Sequence, residues 1–387
     1  MTESGSERVL AAFRKSFGPK PALVRSPGRV NLIGEHTDHN LGFVLPGAVD
    51  RAIWLAIGLR DDRKLRFHAL DNGEHFEGSL DEIRAVPAQW PNYLLGILSE
   101  LAQRGIELRG VDCAFGGDVP IGCGLSSSAA LECGFAFGLN ELLGAGLDRV
   151  EIAKLGQRSE NRFVGVNCGI MDQFASCLGQ EKRVIRLDCR DLSYVYVPFE
   201  RDDISIVLCD SQVRRQLTTS AYNLRRAQCE EGVAKLAQHY PEIRSLRDAT
   251  LLQVEAIRDE LDPAVYRRCA YVVAENQRVL TACAALERSD LAAFGAAMYE
   301  THEGLAHGYE VSVPELDILV DATRSIPGVL GARLMGGGFG GCTINLVEAD
   351  HLEAFHAAMA PVYRERLGKE PMIHVCKLAG GTELLAY

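Results

Sequence analysis

The sequence predicts an α+β protein built as two tightly packed lobes with a ligand cleft between them, on three observations. Its 387 residues suit two domains of ordinary size. The first half interleaves strand-like and helix-like runs, whereas long helical periodicities dominate beyond about residue 200. No long linker parts the two regimes. Asp202 and Asp203 read as the turn between them, and the lobes are drawn over residues 1–200 and 201–387. A cleft between lobes is a usual place for a small ligand.

Each element follows from its local pattern. Apolar runs at 44–45 and 52–59 and alternation at 64–69 and 111–115 predict strands, as do 184–187, 194–197 and 204–208. A strand is also expected just ahead of a polar cluster at 29–39. Residues 126–143 are apolar nearly all round, the pattern of a buried helix, and directly follow a glycine-rich loop. In the second half, apolar residues recur with helical spacing over 220–239, 264–286, 291–304 and 314–324. Strands at 332–335 and 343–347 flank a glycine run at 336–341. A helix over 351–366 and a strand over 372–377 close the chain.

Composition narrows the function classes. Apolar residues make up 47% and charged residues 24%, values of a globular protein with a sizeable core. The net charge of -11 argues against nucleic acid as a partner, because phosphate backbones require basic faces. The N-terminal run MTESGSERVLAAFRKSF lacks an apolar signal-peptide core, and no stretch of about 18 apolar residues predicts a membrane span. The 12 cysteines are scattered singly with no CxxC, and Cys113, Cys123 and Cys133 have no neighbouring ligand to complete a zinc pattern. They read as buried small apolar residues in a reducing, cytoplasmic setting, not as disulfides or ligands.

Four stretches carry candidate chemistry. In PIGCGLSSSAALE at 120–132, two close glycines, three hydroxyls and a helix start follow one another. Backbone N–H groups at a helix N-terminus bind phosphate, and the hydroxyls can bind phosphate or Mg²⁺. No Lys follows, so this is not a Walker A loop; the plain alternative is a glycine turn with Ser as N-cap. In RSPGRVNLIGEHTDHN at 25–40, Arg29, Glu35, His36, Asp38 and His39 crowd a short span. Mixed carboxylates and imidazoles suit a polyol. A metal site is disfavoured, because adjacent residues of an extended segment point to opposite faces, and a solvated charged loop remains open. In NRFVGVNCGIMDQ at 161–173, Asp172 can orient or deprotonate a hydroxyl or serve only as a cap. Glu160, just ahead, can hold Mg²⁺. In GARLMGGGFGGCT at 331–343, five glycines in six positions make either a tight turn or a loop that lets a ligand approach closely.

Together these four motifs resemble the GHMP kinases, small-molecule kinases that include homoserine and mevalonate kinases. The resemblance rests on GRVNLIGEHTD at 28–38, PIGCGLSSSA at 120–129 and GGGFGG at 336–341. GIMDQ at 169–173, DSQVR at 210–214 leading to Tyr222, and YEVSVPELD at 309–317 are similar to the galactokinase branch of that family. The likeness runs from about residue 20 to the end.

The family fold implies an N-terminal mixed α/β lobe and a C-terminal α+β lobe with the active site between them. The activity implied is Mg-ATP-dependent phosphorylation of the C1 hydroxyl of α-D-galactose, the first committed step of galactose catabolism. Asp172 would be the catalytic carboxylate and Arg29 its transition-state partner. Glu35, His36, Thr37, Asp38, Gly169 and Tyr222 would bind the sugar. Gly122, Cys123, Gly124, Leu125, Ser126, Ser127 and Ser128 would wrap the triphosphate of ATP, and Ser128 and Glu160 would hold Mg²⁺. A cytoplasmic monomer is expected, with galactose as its small-molecule partner and neither nucleic acid nor membrane.

Four positions depart from the family pattern. His39 stands where Tyr is usual, Leu41 where Gly or a small residue is common, Met335 where Thr is typical, and Tyr271 where His is frequent. The competing readings are a kinase of another sugar, of arabinose or N-acetylgalactosamine type, and a non-catalytic galactose and ATP sensor. A galacturonate kinase is disfavoured, because Glu35 would meet the uronate as a like charge.

Overall fold

The computed structural model describes residues 5–120, 122–199, 201–213 and 218–386. In chain order the elements are α1 (Gly5–Ser16), β1 (Ala22–Asn31), β2 (Phe43–Val44), β3 (Pro46–Arg60), β4 (Lys64–Ala69), β5 (Glu74–Ser79), α2 (Gln89–Gln103), β6 (Gly110–Gly117), α3 (Ser127–Leu143), α4 (Arg149–Ser159), α5 (Met171–Leu178), β7 (Arg183–Asp188), β8 (Tyr194–Pro198) and β9 (Ile204–Asp210). There follow α6 (Thr218–His239), α7 (Leu251–Ala256), α8 (Pro263–Glu287), α9 (Leu291–Glu303), α10 (Pro314–Thr323), β10 (Val329–Leu334), β11 (Cys342–Glu348), α11 (Leu352–Pro361), β12 (Ile373–Cys376) and β13 (Glu383–Ala386).

Three sheets organise these elements. A six-stranded sheet runs β13-β1-β3-β6-β4-β5, antiparallel except for the β4/β6 pair. A four-stranded antiparallel sheet runs β10-β11-β9-β12, and a small sheet joins β2, β7 and β8. Helix α3 packs on β1 and β3, as its apolar composition requires. The contact is close because Gly134 faces the sheet: a Cβ there would lie 2.5 Å from Leu55 Cδ1 and 2.7 Å from Ser26 Cβ.

One continuous core joins the two halves of the chain. It includes Leu55, Ile57 and Phe135 from the first half and Ile206, Met298 and Ile344 from the second. The last strand, β13, returns to pair with β1, and Val49 bridges Leu378, so a division at residue 200 does not separate the sheets cleanly. Glu200, beside that division, lies outside the described residues, as do Ile121 and Arg214 of the sequence motifs. Among the described residues no helix is long and apolar enough to cross a membrane.

Two expectations need correcting. The twelve cysteines are not all free, because Cys123 and Cys342 form a disulfide with Cα atoms 5.1 Å apart and a sequence separation of 219. Their meeting comes from the tertiary approach of the loop before α3 to the start of β11, which residue spacing does not register. The other ten are free, nine of them buried. The helix expected over 351–366 is broken into a 3-10 turn, α11 and a π turn at Val362–Leu367, with Pro361 at the join, where it cannot donate to the helical ladder.

Candidate active site

The polar segment and the two glycine-rich loops converge on a cavity of about 330 Å³. Past β1 the chain does not stay extended. Gly34 (φ 95°) and His36 (φ 61°) turn it, so Glu35, His36 and Asp38 all border the cavity beside Arg29. Neighbouring side chains there are therefore not forced to opposite faces. Gly122, Gly124, Leu125, Ser126, Ser127 and Ser128 line the cavity ahead of α3, and Glu160, Gly169, Asp172 and Tyr222 complete the set. Two expected members stay out of it. The fully buried Thr37 donates its hydroxyl to the carbonyls of Gly34 (2.9 Å) and Phe43 (2.6 Å), bracing the loop. Cys123 is buried in its disulfide and offers the cavity no side chain.

Arg29 and Asp172 stand at the junction. Arg29 Nε donates to Asp172 Oδ1 at 2.8 Å and Nη2 lies 2.7 Å from Oδ2, a bidentate pair that fixes the carboxylate plane. Arg29 Nη1 donates to the Gly124 carbonyl and Ser126 donates its hydroxyl to Asp172 Oδ2. Asp172 lies in the first turn of α5, where the helix dipole favours an anion. Its side chain is 27% exposed against 5% for Arg29, so the carboxylate is the member that can reach a ligand. Ser126 takes a left-handed conformation (φ 56°) immediately before α3, a helix of 17 residues whose first N–H groups are thereby presented to the cavity.

On the sugar-segment side, charges are matched. Glu35 Oε1 accepts from Arg333 Nη1 (2.9 Å) and from the Gly336 amide (2.8 Å). Arg333 is fully buried and also donates to the carbonyls of Leu32 (2.9 Å), Asn31 and Leu334. Burial, with the charge of His39 adding to it, lowers the His36 pKa to about 3. His36 is therefore neutral. Its Nε2 sits 3.2 Å from the Gly337 carbonyl and must carry the hydrogen, leaving Nδ1 an acceptor with no partner among the described residues. Gly169 is glycine for a steric reason: a Cβ there would lie 2.0 Å from Asp38 Oδ2.

On the phosphate-loop side they are not matched. Glu160, at the junction of α4 and a π turn over Glu160–Val164, accepts from Ser128 Oγ (3.3 Å) and Gln173 Nε2 (2.7 Å). Burial, helped by the Asp172 charge, pushes its pKa up to about 7. Burial and the Glu160 charge push the Glu132 carboxyl well above the carboxylate range.

The sequence reading missed Arg333, Glu132 and Gln173. All three lie inside quoted motifs: Gln173 directly follows the assigned Asp172, and helical i, i+4 spacing could have placed Glu132 near Ser128. Arg333 carries no local signal, since its partner is 298 residues away.

The chain matches the GHMP kinases N terminal domain over residues 92–180, the GHMP kinases C terminal domain over 282–364 and the galactokinase galactose-binding signature over 11–59. It is 44% identical to the galactokinase of Roseiflexus sp. (strain RS-1), covering 95% of this chain and 94% of that one. The chain belongs to the galactokinase family. The galactokinase of Chloroflexus aggregans (strain MD-66 / DSM 9485) is 43% identical over 96% of each chain. The crystal structure of Lactococcus lactis galactokinase complexed with galactose superposes with a TM-score of 0.93 at 36% identity, covering 98% of this chain and 99% of that one. Methanococcus jannaschii mevalonate kinase, at 20% identity over 93% of this chain and 99% of that one, shares the fold with a TM-score of 0.65. The expected two-lobed α+β fold is that of the family.

Proposed function

We propose that this enzyme transfers the γ-phosphoryl group of ATP to the C1 hydroxyl of α-D-galactose. The observation that carries the reading is the Arg29–Asp172–Ser126 constellation, which joins the sugar segment to the phosphate loop inside one cavity. The C1 oxygen bonds to the γ-phosphorus, the bond from that phosphorus to the β,γ-bridging oxygen breaks, and ADP leaves. Asp172 orients the hydroxyl and takes its proton, while Arg29 holds the carboxylate and offsets charge developing at the phosphoryl group. Glu35, His36, Asp38, Gly169 and Tyr222 form the sugar wall, and Gly122–Ser128 cradles the triphosphate, with Cys123 acting through its backbone alone.

The residues present fit Mg²⁺. A hydroxyl and a carboxylate 3.3 Å apart, with phosphate oxygens to complete the shell, are the hard oxygen donors this ion takes. Burial and the neighbouring Asp172 charge raise the pKa of Glu160, and a cation there would offset both. Mg²⁺ bound there would neutralise charge on the transferring phosphate. Because Arg333 pairs with Glu35, like-charge rejection of a uronate is weaker than the sequence alone suggested. The proposed setting is the cytoplasm, which the ten free cysteines favour and the single disulfide does not, and the proposed state is a monomer.

The test is ADP release by purified protein with Mg-ATP and a panel of galactose, glucose, arabinose, N-acetylgalactosamine and galacturonate. Galactose should give the highest kcat/KM. A markedly higher value for any other sugar would overturn the substrate assignment.

A further inference from the structure

The sugar wall contains one group that does not line the cavity yet has hydrogen-bond partners in two residues that do. His39 has a side chain only 1% exposed. Its Nδ1 lies 3.3 Å from Asp38 Oδ1 and 3.0 Å from the Tyr222 hydroxyl, and its Nε2 lies 3.3 Å from the Tyr309 hydroxyl. Tyr309 in turn meets Cys229 Sγ at 3.4 Å. The His39 amide also donates to Asp38 Oδ1 at 2.9 Å. Oδ1 is thereby held on the His39 side, while Oδ2 lies against Gly169 at the cavity.

The position of the ring hydrogen decides what the cavity sees. With a hydrogen on Nδ1, the ring donates to Asp38 Oδ1 and to the Tyr222 oxygen, and the Tyr222 hydroxyl hydrogen is left to point at a ligand. With Nδ1 bare, Tyr222 would donate to the ring and face the ligand as an acceptor only, and a lone pair would confront the Asp38 carboxylate. The adjacent carboxylate favours the first state. Burial alone would lower the His39 pKa, but hydrogen bonding to Asp38 and to Cys229 more than offsets it and holds the value at about 9.

We propose that His39 is a positioning residue for the sugar, presenting Asp38 as acceptor beside Tyr222 as donor so that the two read adjacent hydroxyls of the substrate. The proposal rests on the galactose reading above. It also gives a role to a departure from the family pattern. Tyr271, another departure, packs on the same Tyr309 with ring centroids 5.0 Å apart and donates its hydroxyl to the Glu35 carbonyl.

The test combines three variants with deoxygenated substrates. His39→Phe fills the space without hydrogen bonds, His39→Asn keeps a donor near Nδ1, and His39→Gln places its amide near Nε2 instead. Steady-state constants are measured for galactose and for its 2-, 3-, 4- and 6-deoxy forms, beside the KM for ATP. His39→Phe should raise the galactose KM roughly tenfold, the effect of losing about 1.4 kcal/mol of binding, with the KM for ATP and kcat within about threefold. The deoxy sugar most penalised by the wild type should lose most of that penalty in His39→Phe. His39→Asn should recover most of the galactose affinity and His39→Gln should not.

A His39→Phe protein with the wild-type galactose KM and deoxy pattern would overturn the proposal, as would one that weakens ATP and galactose alike. If His39→Phe does not fold, equal behaviour of the Asn and Gln variants overturns it. A wild type that phosphorylates no galactose would sink the functional reading instead. The same deoxy comparison, read by calorimetric sugar binding, would then still decide for or against His39.

Discussion

The two walls of the cavity are built on opposite electrostatic plans. On the sugar side every buried carboxylate has its positive partner within the chain: Glu35 with Arg333, Asp38 with His39. On the phosphate side burial raises the pKa of both Glu132 and Glu160, the Glu160 charge adding to the first and the Asp172 charge to the second. A wall that must recognise a neutral polyol has to be finished before the ligand arrives, because its donors and acceptors are useful only if fixed. On the proposed function the phosphate wall is completed by a polyanion and its cation, which would offset the carboxyl groups buried there. The comparison assigns stability to the first wall and cation dependence to the second.

Removing charge from each wall should therefore have opposite effects on stability. Arg333→Met leaves Glu35 buried without its partner and strips four hydrogen-bond acceptors of their donor. We expect a loss of about 3–5 kcal/mol, the cost of breaking a buried pair, measured by denaturant unfolding. Glu160→Gln removes a buried charge that has no cation, so apo stability should hold or rise. The Mg²⁺ concentration for half-maximal rate should increase at least about tenfold. Equal destabilisation by both substitutions would erase the distinction between the walls.

Protonation sharpens the same contrast within the sugar wall. His36 has a folded pKa near 3, below the ordinary 6.5. Its contribution is therefore complete above pH 6.5 and is lost as pH falls from 6.5 towards 3. His39 has a folded pKa near 9. Its contribution is complete below pH 6.5 and is lost as pH rises from 6.5 through 9. Each limb has a limiting slope of about 1.4 kcal/mol per pH unit. Glu160 acts in the opposite sense below pH 7, so the limbs are read as differences. Stability of wild type minus His36→Gln should fall only on the acid side, and of wild type minus His39→Phe only on the alkaline side. Difference curves that are flat with pH would show both imidazoles to be ordinary.

The smallest effect concerns the loop that carries the sugar wall. Leu41 is 40% exposed and sits at φ 58°, a left-handed conformation that costs a branched residue about 1–2 kcal/mol. Glycine there would be free of that cost but would lose about 0.5–1 kcal/mol of backbone entropy. Leu41→Gly should raise stability by at most about 1 kcal/mol without changing either KM. A destabilised variant would show that Leu41 packs more than its exposure implies.

The sequence made some of this legible and hid the rest, for physical reasons. Strand β4 was read at its true bounds because Leu65, Phe67 and Ala69 alternate with more exposed neighbours. The buried helix α3 was read from its all-round apolar composition. Helix α2 is not among the expected elements, although Leu94, Ile97, Leu98 and Leu101 carry helical spacing and are buried. Arg29, Asp172 and the serine loop drew notice because each sits in a local, glycine-punctuated motif, and they border one cavity. Arg333 and the Cys123–Cys342 pair did not, since each exists only through contact between segments more than 200 residues apart. Thr37 misled because it sits within a motif whose other polar members face the cavity, while its own hydroxyl is held by two carbonyls.

The central claim is that Asp172, held by Arg29 and Ser126, links sugar to phosphate. Asp172→Asn tests it most directly, because the substitution keeps the shape and removes the charge. Turnover of galactose and Mg-ATP should fall by at least about 10²-fold, the lower range for loss of a general base. Calorimetric binding of each ligand should largely persist, since most contacts come from other residues. An Asp172→Asn enzyme with near-normal turnover would show that the carboxylate is only a structural cap and that the chemistry lies elsewhere in the cavity.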